Sequence, residues 1–77
     1  TEYNPENMVI KTETLNRLTD IIKELDPKYR DVFLLRRAYK LSREEIADTL
    51  GLTVETVKKR LSRAKSMILE KYREEEL

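Results

Sequence analysis

The chain has 77 residues, enough for one small domain with a lean core. It has no Cys and no His, and only one Gly. These counts exclude disulfides, thiolate metal sites, imidazole acid–base chemistry and glycine-rich phosphate loops. Charged residues make up 40% of the sequence, yet 16 Lys+Arg against 15 Asp+Glu leave a net charge of only +1, so information about partners lies in where the charge sits. No apolar run approaches the 18 or so residues of a membrane span. The chain opens with Thr1 and no signal-like segment, and is expected to be a piece of something longer.

In chain order, Asn4-Pro5-Glu6 reads as a helix start, with Asn at the cap, Pro at the first helical position and an acid facing the dipole. Residues 1–12 are either a linker remnant or the beginning of this helix, and residues 13–77 form the domain proper. Leu15, Leu18, Ile21, Ile22 and Leu25 make one apolar stripe. Asp26-Pro27 ends the first helix and caps the second. In the second helix Tyr29, Val32, Phe33, Leu34, Leu35, Ala38 and Tyr39 spread most of the way round, as expected of a helix central to the core. Ser42-Arg43-Glu44-Glu45 is a capping box that opens a short third helix with Ile46, Ala47 and Leu50 inward. Gly51 stops that helix in left-handed geometry and Thr53 caps the fourth. There, Val54, Val57, Leu61, Ala64, Ile68 and Tyr72 hold one stripe, and three closing acids, Glu74 to Glu76, oppose the helix dipole and favour fraying. The expectation is an all-α, compact four-helix domain with helices at about 6–25, 27–39, 43–50 and 54–73.

Helix, Gly-containing turn and helix form the layout of a helix-turn-helix. Ala47 is small enough for the helices to cross closely, Leu52 plugs the space under the turn, and Val57 and Leu61 anchor the last helix. Opposite that anchor, Glu55, Lys59, Ser62 and Arg63 face outward, with Thr56 and Arg60 bordering them on one side and Lys58 and Lys65 on the other. From Thr56 to Leu69 there are five basic residues and no acid. A charge run alone is usually a solvated face, and an αα-hairpin with a Gly turn is common. Together they describe a helix with a polar centre able to read base edges and basic flanks able to grip phosphate.

Three stretches carry a resemblance to a known family. They are Leu25-Asp26-Pro27-Lys28-Tyr29-Arg30-Asp31-Val32-Phe33-Leu34-Leu35-Arg36, Leu41-Ser42-Arg43-Glu44-Glu45-Ile46-Ala47 and Leu50-Gly51-Leu52-Thr53-Val54-Glu55-Thr56-Val57-Lys58-Lys59-Arg60-Leu61-Ser62-Arg63-Ala64-Lys65. From Leu25 to about Tyr72 the chain resembles the C-terminal, promoter-reading domain of bacterial sigma factors of the extracytoplasmic-function group. The resemblance implies recognition of the −35 element of double-stranded promoter DNA, docking on the β-subunit flap of RNA polymerase core, a cytoplasmic location and an anti-sigma factor as a further partner. It also implies base or nearby phosphate contacts for Lys58, Lys59, Ser62 and Arg63, and phosphate contacts for Arg36, Arg43 and Thr56. Thr53, Glu55 and Arg60 complete the expected DNA-binding set. Glu55 stands where many relatives carry a small residue, and is able to accept from a cytosine amino group or to strengthen the helix start. Arg43 stands where relatives often carry an aromatic residue. The element that melts the −10 region lies outside these residues, so the chain is not expected to start transcription alone.

Two rival readings stay open at this level. One is a DNA-binding effector domain of the LuxR/NarL type, which dimerises through its last helix where a sigma domain is expected to be monomeric. The other is a protein-interaction module that meets an acidic partner and makes little DNA contact. No cofactor, metal or membrane is expected. An enzyme is the weakest reading, because the remaining Asp/Glu, Lys, Ser/Thr and Tyr residues form no recognisable acid–base or nucleophile pair.

Overall fold

The computed structural model describes residues 5–76, and the surroundings of side chains from 12 to 75. Asn4, the expected first cap, lies outside the described residues. Four helices follow in order: α1 (Pro5–Glu24), α2 (Pro27–Arg37), α3 (Arg43–Leu50) and α4 (Val54–Glu76). Residues 5–12 are therefore helical. Asp26 caps α2, its carboxylate accepting from the Lys28 N–H at 3.2 Å, with Pro27 in the first turn where a missing N–H costs nothing.

α4 packs on each of the other three helices, and two apolar clusters lie along it. The first joins Val32, Ile46, Ala47 and Val57, with Leu35, Leu41, Leu52, Val54 and Leu61 around them. It fixes α2, α3 and the first half of α4 as one body. The second joins Ile21, Leu25 and Ile68, with Leu18, Ile22, Phe33, Met67 and Tyr72, and ties α1 to the second half of α4. The guanidinium of Arg17 lies over the Tyr72 ring, 5.8 Å from its centroid. The 3.6-residue stripe of α4 serves both clusters in turn, which is why this helix is the longest.

Several expectations need correction. α2 ends at Arg37, two residues before Tyr39. The Ala38 N–H still reaches the Leu34 carbonyl at 2.8 Å, but Tyr39 donates to the same oxygen and Leu41 reaches back to the Leu35 carbonyl at 3.0 Å. The chain must reverse there to bring Leu41 to the first cluster, so Ala38 and Tyr39 are exposed and α2 has only a half-turned core face at its end. The reversal is made by Lys40 at φ +56°, the one non-glycine residue with positive φ among those described. Leu15 is 61% exposed although it is in phase with the α1 stripe, because α4 offers no apolar residue beyond Tyr72 for it to meet among the described residues. Leu50 is also exposed, as the last residue of a helix that extends past its crossing with α4. Finally, α4 continues through Glu74 and Glu75 to Glu76, where fraying was expected. Glu is a strong helix former and Arg73 places a cation in the last turn.

Candidate nucleic-acid interface

The interface begins with how α3 and α4 start and stop. The Ser42 hydroxyl accepts from the Glu45 N–H at 3.1 Å, and the Glu45 carboxylate accepts from the Ser42 N–H at 2.8 Å, closing the capping box. Donation from the Ser42 N–H, and next from the Ser42 hydroxyl, holds the Glu45 carboxyl below the ordinary glutamate pKa. Gly51 takes φ +68°, and the N–H groups of Gly51 and Leu52 both satisfy the Ala47 carbonyl. Thr53 Oγ1 accepts from the Thr56 N–H at 3.1 Å and donates to Thr56 Oγ1 at 2.9 Å. The turn is thus closed by backbone and cap bonds, and α4 leaves it with Val57 fully buried and its polar arc outward.

The expected contact residues fall into three groups. Glu55, Lys59, Ser62 and Arg63 are exposed along the outer arc of α4. Glu55 is not free of its neighbours: its carboxylate lies 3.7 Å from Lys58 Nζ, one turn along the helix, in an exposed pair of small energetic weight. Thr56 and Arg60 are half-buried on one flank, and the hydroxyls of Thr53 and Thr56 are committed to the cap. On the other flank the structure gathers Arg36, Arg43, Lys58 and Ser62 around a single open concavity of about 690 Å³.

That concavity holds what sequence reasoning missed. Its lining also includes Arg37, Lys40 and Lys65, over a floor of Phe33 and Leu61, and no acid lines it. Six cations from α2, the α2–α3 turn, α3 and α4 therefore face one trough. Lys65 was placed on that flank by the helical wheel but was not among the expected contacts. Arg37 and Lys40 had no periodic signal, because their position depends on the chain reversal after α2. The one available hint was their location just before the Ser42 cap. Arg36 has a second duty: its Nη1 donates to the Leu41 carbonyl at 2.9 Å, bracing the turn that carries Lys40. Among the described residues no group of three or more His, Cys, Asp or Glu side chains is placed to hold a metal ion, and no helix is long and apolar enough to cross a membrane.

An exposed polar arc on α4, beside a trough of cations that no acid lines, offers the two parts a major-groove reader needs: side chains able to reach base edges and side chains able to seat the strand. Comparison with known proteins agrees with this geometry. The family model described as Sigma-70, region 4 matches residues 15–68. The chain is similar to the RNA polymerase sigma-E factor of Streptomyces avermitilis, with 42% identity over 60 residues that cover 78% of this chain and 34% of that protein. It is similar to the sigma-E factor of Streptomyces coelicolor, with 43% identity over 53 residues, 69% of this chain and 30% of that protein. The ECF RNA polymerase sigma factor SigW of Bacillus subtilis shares 34% identity over 70 residues, 91% of this chain and 37% of that protein. The chain thus spans about a third of the length of these curated relatives.

Proposed function

Because the chain belongs to the sigma-70 region 4 family, whose sigma factor domains recognise the promoter −35 element, we propose that the first three turns of its α4 enter the major groove of that element. Lys59, Ser62 and Arg63 then face base edges, with Glu55 at the leading end able to accept from a cytosine amino group. Glu55 must leave Lys58 to do so, which frees that lysine for phosphate. Arg36, Arg43 and Lys58 seat one strand from the concavity, and Arg60, with the turn at Thr53 and Thr56, seats the other side of the groove. The observation that carries this reading is the exposure of Lys59 and Arg63 opposite a fully buried Val57 and Ala64, which leaves that arc free for a ligand.

The domain acts by binding, not by catalysis, and takes no cofactor. In this reading residues 13–77 are the DNA-binding unit. RNA polymerase core is the partner that the family implies, and we place its contact on the β-subunit flap, with an anti-sigma factor as a competing partner and the cytoplasm as the location. Exposed Leu15 and Leu69 lie outside both clusters and suit apolar docking of this kind. The domain is monomeric in this reading, and a dimer in sedimentation would favour the LuxR/NarL-type alternative.

The decisive test measures variants on a panel of single-base changes in the best −35-like duplex, found by selection with the parent sigma factor and polymerase core. Lys59→Ala or Arg63→Ala is expected to shift preference at one position by about 1–3 kcal/mol if that side chain makes a bidentate base contact. Arg36→Ala is expected to weaken every duplex alike. If Arg36→Ala reorders the panel while Arg63→Ala only scales it, α4 does not lie in the groove as proposed.

A further inference from the structure

We infer that Lys40, with Arg37 and Lys65, forms a second phosphate seat in the concavity, built to hold a run of adjacent phosphates. Two independent observations meet at Lys40. Its backbone sits at φ +56°, a region that Gly or Asn would occupy with less steric cost. The same residue lines a trough with five other cations and no acid. A strained backbone conformation kept by a lysine, where a smaller residue would turn the chain more comfortably, points to a use for the side chain.

The surroundings support that use. Arg36 holds the turn through the Leu41 carbonyl, Leu41 packs on the first apolar cluster, and the Tyr39 N–H bonds the Leu34 carbonyl, so the backbone is held on both sides of Lys40. Lys58 and Lys65 line the trough from α4, about two helical turns apart along that helix. Lys58 has Glu55 nearby, whereas Arg37, Lys40, Arg43 and Lys65 form no ion pair among the described residues. Cations spaced along both walls of an open trough suit a chain of singly charged groups better than a lone carboxylate, and arginine forks match phosphate oxygens. The chemistry is that of linked phosphates, available from a DNA strand or from a free oligophosphate. As a DNA contact the seat rests on the proposed groove placement. As an anion site it does not.

The test uses Lys40→Asn, which keeps a residue suited to positive φ and removes the charge, and Lys40→Arg, which restores the charge. Duplex binding is titrated across salt concentrations. Separately, inorganic tripolyphosphate is added to the DNA-free protein and backbone amide shifts are followed. Lys40→Asn is expected to lower the log–log salt slope by about 0.9 and to weaken duplex binding about eightfold near 0.1 M salt, with Lys40→Arg restoring both. Tripolyphosphate is expected to shift the amides of Arg37, Lys40 and Arg43, less so in Lys40→Asn. An effect in the duplex titration alone assigns the seat to the DNA strand, and an effect with tripolyphosphate alone assigns it to a free oligophosphate. If the unaltered protein binds no duplex yet takes tripolyphosphate at these residues, the groove placement falls and the seat stands. No change in duplex slope together with unmoved amides overturns the seat.

Discussion

Gly51 turns the chain between α3 and α4 at φ +68°, and a Cβ added there would meet nothing within 4 Å. The cost of a side chain at this position is therefore backbone strain and not a clash. Gly51→Val is expected to destabilise the domain by about 1–3 kcal/mol and Gly51→Asn by less than about 1 kcal/mol, both read from urea midpoints. Equal losses for the two would mean that space, not φ, governs the turn. Glu45 gives a pH dependence whose sign follows from its hydrogen bonds. Its pKa is lowered in the folded state, so its contribution is present in full above the ordinary glutamate value of about 4.3 and fades as pH falls through the folded value. The stability difference between the unaltered chain and Glu45→Gln should accordingly shrink on acidification, and Ser42→Ala should return the Glu45 carboxyl toward the ordinary value in an NMR titration. These residues were readable in advance because caps and left-handed turns are local chemistry. Lys40 was not, since nothing in the identity of a lysine announces a positive φ. Nor was the brace from Arg36 to the Leu41 carbonyl, which needs the turn to exist first.

At the scale of elements, α3 and the apolar stripe of α4 were legible because period and punctuation agree there. Val57, Ala64 and Ile68 are all buried at the expected spacing. The end of α2 was not, because Ala38 and Tyr39 continue the helical pattern and only the demand that Leu41 reach the core stops it. For the same reason the concavity was half seen: its α4 wall follows from a helical wheel, while its α2 wall depends on how two helices pack. The two clusters divide the labour along α4, and Ile68 belongs to the one that holds α1. Ile68→Ala is expected to cost about 2–4 kcal/mol and to release α1 amides to hydrogen exchange before those of α3. If α3 amides open first, the clusters do not behave as separate units.

For the whole molecule, a net charge of +1 conceals a segregated surface, with cations gathered in the trough and along the outer arc of α4 and acids at its far end. Long-range attraction to DNA is weak for so small a net charge, whereas contact electrostatics at the interface are strong. Duplex binding should therefore be modest and steeply dependent on salt, with a log–log slope of about −4 to −5 when about five phosphates are met at once by the cations assigned to them. A flat salt response would remove phosphate contact from the account of this surface.

The molecule measures 42 × 32 × 15 Å, and α4 runs through it as one uninterrupted rod of 23 residues, with the proposed reading face toward one end and the α1 cluster toward the other. A rigid rod held at its far end is a lever. Ile68 in the α1 cluster and Lys59 on the outer arc are about 14 Å apart along the axis, so a tilt of about ten degrees at that cluster moves Lys59 by about 2 Å, enough to break a hydrogen bond. In the proposed groove placement, a partner that grips α1 and the distal half of α4 would therefore shift the aim of Lys59 and Arg63 without touching either of them.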